Sequence, residues 1–201
     1  MSLYTDHVAK WKGWTLCHYC EKRTKVVLAR GSIPCDILFI GEAPGPSEDI
    51  SGQPFMGPAG HLLGSIIEKA VYQAKIDKPK IAYTNLVSCI PLDEDNKKFG
   101  EPSEESIKAC SDRLIEFVRI AQPKGIVRVG KLAAKYIYGQ AQFSDREDYS
   151  LDWLDEGQFL QFTDITHPAA ILRAEKSQQG LLVQRTVLYL SDFIEKVMVP
   201  F

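Results

Sequence analysis

Apolar residues in this chain fall into short unbroken blocks, separated by longer stretches where they recur at helical spacing. Ile37-Leu38-Phe39-Ile40, opening the run from Asp36 to Gly41, is one such block, and Ile81 to Ser88 (IAYTNLVS) and Gly125 to Gly130 (GIVRVG) are two more. Blocks of this kind predict strands covered on both faces, as in a parallel sheet. Phe159 to Ile165 predicts a fourth strand. Between them, helical patterns predict helices over about 59–75, over Glu104 to Ile120, over Lys131 to Tyr138 and over roughly 178–197. Ser103 is placed to cap the second of these, with Glu104 and Glu105 in its first turn, and Gly139 to stop the third. Strands alternating with helices predict an α/β fold: three layers, α/β/α, around a central four-stranded parallel sheet with right-handed crossovers.

Ahead of the first strand, residues 1–16 read as a short helix carrying Trp11 and Trp14, and Val26-Val27-Leu28 as a short extended piece. Residues 90–102 are expected to form a polar loop and 141–157 a charged surface excursion. There is no internal repeat, low-complexity tract or linker, so 201 residues are expected to fold as one domain, large enough for a full core. A formal charge of −2 excludes a global pull toward nucleic acid, and any such contact must come from a local patch. Met1 to Lys12 is polar, and no apolar run reaches the length that spans a membrane. A cytoplasmic monomer without a membrane partner is the expectation.

Five cysteines, an odd number, argue against a disulfide framework. Cys17 and Cys20 form C-x-x-C, Cys89 follows the second apolar block, and Cys110 lies in a predicted helix. Four thiolates suit either Zn²⁺ or a [4Fe–4S] cluster, and spacing alone neither chooses between them nor requires a metal. Cys35 has no nearby partner in sequence and is expected to be a small buried hydrophobe. The stretch after the first strand, Gly41 to Gly60 (GEAPGPSEDISGQPFMGPAG), is where binding loops of open α/β sheets lie. It brings Glu42, Ala43, Glu48, Asp49 and Phe55 to that edge. Asn85 stands in the second block and His167 just beyond the fourth. Taken singly, each has an ordinary structural reading: loop connection, core aromatic, backbone-satisfying amide, strand-end histidine.

Together they resemble the iron–sulfur uracil-DNA glycosylases, family 4 of that superfamily. GEAPG, then ED, then G-x-PF-x-G-x-AG-x-LL matches the start of that family's active site, and HPAAILR is similar to its HPSALLR segment. CHYC, TNLVSC and SIKAC match its cysteine positions in turn, over roughly residues 14–195. The resemblance implies excision of uracil from DNA by hydrolysis of the N-glycosidic bond. It implies a structural [4Fe–4S] cluster on Cys17, Cys20, Cys89 and Cys110. Gly41 and Ala43 would line the site, Phe55 would stack on the flipped base and Asn85 would read its edge. His167 would donate to uracil O2 as charge develops there. Ile171 and Leu172 would wedge into the base stack, and Arg173 would hold a phosphate. Glu42 and Glu48 together are the expected carboxylates facing the water and sugar, with Asp49 bracing the loop.

Three departures qualify the resemblance. Ala169 stands where the family has serine, which removes one hydrogen bond to DNA. Ile90-Pro91-Leu92 replaces an R-P-P, and the span from Cys89 to Cys110 is longer than usual. A related subgroup traps uracil-DNA covalently through a histidine in this span, but residues 90–109 contain none. Two other readings stay open: a DNA-binding module without turnover, and a redox-sensing iron–sulfur protein.

Overall fold

A computed structural model describes residues 2–15, 17–92, 99–137 and 160–199. Helix α1 (Leu3–Trp11) is followed by a 3₁₀ turn (His18–Glu21), then β1 (Ala29–Gly31), β2 (Ile37–Gly41), α2 (Pro46–Ser51), α3 (Pro58–Ala74) and β3 (Ile81–Asn85). Then come α4 (Glu104–Ala121), β4 (Gly125–Val129), α5 (Lys131–Tyr136), β5 (Gln161–Ile165), α6 (Pro168–Arg173) and α7 (Lys176–Met198).

The strands form one sheet in the order β1-β3-β2-β4-β5. All neighbours are parallel except β1, which runs antiparallel to β3 along the edge. The sheet therefore has five described strands rather than the four parallel ones expected. Ala29-Arg30-Gly31 carries neither an apolar block nor an alternation, so its strand state comes from pairing with Thr84, Tyr83 and Ala82. The expected extended piece, 26–28, lies just before it. Period two sorts the strand side chains between two cores. Leu38, Ile40, Ala82 and Ile126 pack with Leu114, Phe117 and Val118 of α4 and Ala133 of α5. Ile37, Phe39, Val127 and Ile165 pack on the other face with Leu63, Ile66 and Ala70 of α3 and Leu190, Phe193 and Ile194 of α7. Helices thus cover both faces, and the three-layer α/β/α architecture holds.

Several boundaries move for local reasons. Trp14 lies beyond α1, past Gly13, and tilts against Trp11 with ring centroids 4.5 Å apart. Strand β3 stops at Asn85 because the Leu86 and Val87 N–H groups turn to the carbonyls of Gly41 and Glu42. Helices α2 and α6 were not expected; each is one short run with proline in its first turn, a position where the missing N–H costs nothing. Ser103 caps α4 as expected, accepting from the Ser106 N–H at 3.3 Å. Tyr138, Gly139, the 141–157 excursion, Phe159 and residues 93–98 of the polar loop lie outside the described residues. Among the described residues, no helix is long and apolar enough to cross a membrane.

Register brings the carboxyl ends of the parallel strands to one edge. Gly41 pairs with Asn85, and Val129 with Ile165. Glu42, Asn85, Gly130 and His167 consequently leave the sheet side by side.

Candidate active site and cysteine centre

A cleft of about 1110 Å³ opens over this edge, lined among others by Glu42, Ala43, Glu48, Phe55, Asn85, Ala169, His167, Leu172 and Arg173. Two glycines set how closely its walls approach. A Cβ at Gly41 would collide with Oδ1 of Asn85 and come within 2.6 Å of Cζ of Phe55. Gly41 is thus not a cleft wall but the gap that lets Phe55 and Asn85 sit together. Gly130, at φ +99°, leaves no room for a side chain between Glu42 and the Cβ of His167.

Phe55 occupies a left-handed backbone conformation, φ 57°, uncommon for a bulky residue and costly unless its surroundings hold it. Three contacts do so. The Arg30 guanidinium donates through Nε to the Pro54 carbonyl at 2.6 Å and through Nη2 to the Phe55 carbonyl at 3.3 Å. The same guanidinium lies 4.1 Å over the Tyr83 ring, and that ring is 5.8 Å from Phe55. Glu48 completes the hold. Its Oε1 accepts the Met56 and Gly57 N–H groups, each at 2.8 Å, and its Oε2 accepts the Gly45 N–H at 3.1 Å. Asp49 braces the same loop from the other side, accepting the Thr24 N–H at 2.9 Å and 3.0 Å.

Glu42 is differently placed. Oε1 accepts the Leu132 N–H at the start of α5 at 3.1 Å. Burial pushes its pKa up, partly offset by that N–H and by Arg173, while Glu101 adds to the rise. His167 caps α6, its Nδ1 accepting the Ala169 N–H at 3.1 Å. With Nδ1 an acceptor, the neutral ring carries its proton on Nε2. Burial lowers the His167 pKa, Arg173 lowers it further, and Glu48 works against them. The ring is thus held as a neutral donor.

One expected residue does not reach the cleft. Ile171 is 1% exposed and packs in the α3/α7 core, so it cannot wedge into a base stack. Its neighbour Leu172 is 43% exposed and faces the cleft. The short helix α6 turns one side chain inward and the next outward. Arg30, Tyr83 and the Leu132 N–H were not singled out from the sequence, since each acts through contacts made only in the folded chain. Arg185 and Tyr189 of α7 also line the cleft, the guanidinium 5.4 Å from the ring centroid.

Cys17, Cys20 and Cys89 gather past the end of β3. Ligand atoms of Cys17, Cys20 and Cys89 all lie within 4.8 Å of one another, and all three are buried. Cys17 Sγ is 3.4 Å from that of Cys20, and Cys20 Sγ is 3.8 Å from that of Cys89. Cys110, 1% exposed, stands outside that tight trio but near enough to be the largest influence pulling the Cys17 pKa down, ahead of Cys89 and Cys20. Contact with Cys17 raises Cys89 and Cys110 in turn. Four crowded thiols cannot all ionise without a cation among them. Three sulfurs together and a fourth buried cysteine near them make a donor set that suits an all-sulfur metal centre. Arg23 donates to Cys89 Sγ at 3.3 Å, easing the negative charge such a centre carries. Cys35, buried in the α4 core, has its thiol pushed up to about 12 by burial and takes no part.

The family profile of the uracil DNA glycosylase superfamily matches residues 29–191. The chain is 36% identical over 124 residues to a type-4 uracil-DNA glycosylase of Sulfurisphaera tokodaii, covering 62% of this chain and 53% of that one. It is 34% identical over 138 residues to that of Saccharolobus solfataricus, covering 69% and 59%. With that of Thermotoga maritima it shares 28% identity over 198 residues, covering 98% and 95%. The matched region thus spans little more than half the length of the first two relatives. A profile running from β1 into α7 takes in both the cleft edge and two of the four clustered cysteines, and the chain belongs to the uracil DNA glycosylase superfamily.

Proposed function

We propose that this chain is a monofunctional uracil-DNA glycosylase, a base-excision enzyme that hydrolyses the N-glycosidic bond of deoxyuridine in DNA. The observation that carries the reading is convergence: an aromatic platform, an amide, a neutral imidazole donor and a carboxylate line one cleft at one sheet edge. Relatives across the match bear the name type-4 uracil-DNA glycosylase.

The flipped uracil stacks on Phe55, a contact worth about 1–3 kcal/mol per base. The Asn85 amide offers donor and acceptor side by side to O4 and N3–H. As the C1′–N1 bond breaks, its electron pair leaves with uracil and charge collects at O2, where the Nε2–H of His167 stabilises it. The sugar becomes cationic, and the carboxylate of Glu42 faces it. Water adds to C1′ and its proton passes to the departing uracil anion, so no strong base is needed when bond breaking leads. That suits Ala43, which has no proton to take or give. Glu48, with both oxygens engaged, serves by holding the Phe55 loop. Leu172 fills the gap left by the flipped nucleotide, and Arg173 meets a phosphate.

Cys17, Cys20, Cys89 and Cys110 hold a [4Fe–4S] cluster in this reading, and its role is to tie the N-terminal segment to β3 and α4. The setting is a monomer in the cytoplasm acting on uracil-containing DNA. Incubation with a uracil-containing oligonucleotide followed by alkali tests the activity: strand cleavage at the uracil is expected. Binding without cleavage would identify a module lacking turnover instead.

A further inference from the structure

Arg113 is the largest fully buried side chain among the described residues, at 2% exposure, and the cleft mechanism does not use it. It lies on α4 one helical turn beyond Cys110, so the two share a face. Nη1 donates to Thr84 Oγ1 at 2.9 Å, and Nη2 donates to the carbonyls of Asn85 at 2.6 Å and Leu86 at 2.9 Å. Its Nε has no partner among the described residues. Guanidinium does not lose its proton in proteins, so the charge is buried. A buried charge persists only when something of opposite sign lies nearby. Among the described residues no carboxylate pairs with it, and the four-cysteine set reaches its own helix face through Cys110, one turn before it.

Four thiolates around Zn²⁺ or around a [4Fe–4S]²⁺ core leave a net charge of about −2. Two arginines flank this centre. Arg23 meets it at Cys89, while Arg113 lies one turn from Cys110 on α4. Arg23 sits on the N-terminal segment. Arg113 reaches through to the end of β3, where the Leu86 and Val87 N–H groups are already tied to Gly41 and Glu42. The backbone carrying Asn85 is therefore held on its N–H side by β2 and on its carbonyl side by Arg113.

We propose that Arg113 is the buried counter-charge of the four-cysteine centre and the positioning residue for Asn85, so that one guanidinium couples the loaded centre to the base-reading amide. The inference rests on the reading that these cysteines hold a metal. A loaded centre supplies the anion that keeps the guanidinium buried, and the same guanidinium holds the two carbonyls. Lysine keeps the charge but lacks the planar fork that spans Thr84 and both carbonyls.

The test compares Arg113→Lys, Arg113→Met and Arg23→Met in the full chain. Two readouts are used: metal per chain during chelator challenge, and free uracil binding by ligand-observed NMR. Arg113→Met should release metal roughly tenfold faster or more, as removal of groups behind metal ligands does. It should also weaken uracil binding about tenfold, the cost of disturbing one hydrogen-bonding group. Arg23→Met should speed metal release and leave uracil binding unchanged. Arg113→Lys should hold metal like wild type and still bind uracil weakly. Wild-type uracil affinity in Arg113→Lys would overturn the coupling, even if the methionine variant does not fold. Wild-type protein that carries no metal would overturn the counter-charge, whereas wild-type protein that binds no uracil would sink the glycosylase reading itself.

Discussion

Phe55 and Asn85 meet over Gly41, with room for both only because position 41 lacks a side chain. The proposed stacking platform and the proposed reading amide are thus fixed beside each other by an absence. Gly41 has no positive φ, so alanine is compatible with its backbone and the substitution tests space alone. Gly41→Ala should destabilise the fold by about 1–3 kcal/mol, as overpacking does. Its single-turnover uracil excision should fall more than that loss explains, while metal content stays at the wild-type level. Thermal melts and single-turnover kinetics at saturating enzyme check this together.

His167 is the donor expected to matter most for the departing base. Removing one preorganised donor typically costs about 2.7–4 kcal/mol, or two to three orders of magnitude in rate. His167→Ala should show that loss in single-turnover excision, read at saturating enzyme so that weaker DNA binding does not imitate slower chemistry.

The pH dependence follows from two groups shifted in opposite directions. Burial lowers the His167 pKa and raises that of Glu42. The proposed mechanism requires both neutral His167 and ionised Glu42, so the rate should be flat above neutrality and fall as pH drops through the two values. The Glu42→Gln variant should lose the Glu42 contribution to that acid limb. Stability has the same sense for His167: a folded pKa below the unfolded one means the unfolded chain binds protons first. Stability is then full above the ordinary histidine range and declines as pH falls through it.

Glu42 and Glu48 separate in what they hold. Gln at position 48 has one acceptor oxygen for three backbone N–H donors, so Glu48→Gln should cost about 1–3 kcal/mol of stability and loosen the Phe55 loop. Gln at position 42 can still accept the Leu132 N–H, so Glu42→Gln should slow excision with little change in melting temperature. Equal melting temperatures for the two variants would show that their roles do not divide this way.

Much of this was readable beforehand where burial on both faces writes itself into composition. ILFI and GIVRV announce central strands because no polar residue fits either side, apart from Arg128, whose guanidinium pairs with Asp164 at 2.5 Å. Ala29-Arg30-Gly31 announces nothing, since an edge strand of three residues draws its state from its neighbour. At the site, residue types were legible but directions were not. Ile171 and Leu172 are adjacent and equally apolar, and only the way α6 packs sends one into the core. Glu48 reads as a candidate for chemistry until its three N–H partners from Gly45, Met56 and Gly57 come into view. Arg113 carried no signal, because its partners are backbone carbonyls and thiols distant in sequence from one another.

The four-cysteine centre makes a separate prediction. Purified anaerobically, the protein should be brown and carry about four irons per chain. Cys35→Ser should keep that content, and Cys110→Ser should lose it together with much of the stability. Colourless protein with stoichiometric zinc would replace the cluster with a zinc site on the same ligands.

The central claim is that this cleft releases uracil by reading its edge with Asn85. Free uracil released from a uracil-containing oligonucleotide, quantified by mass spectrometry for wild type and Asn85→Asp, tests it most directly. A site built to hydrogen-bond one base edge rejects a mismatch by large factors. Wild type should release one uracil per modified strand and leave an alkali-labile site, while Asn85→Asp, presenting an acceptor where O4 needs a donor, should release uracil far more slowly. No uracil from wild type, or equal rates from both proteins, would contradict the account.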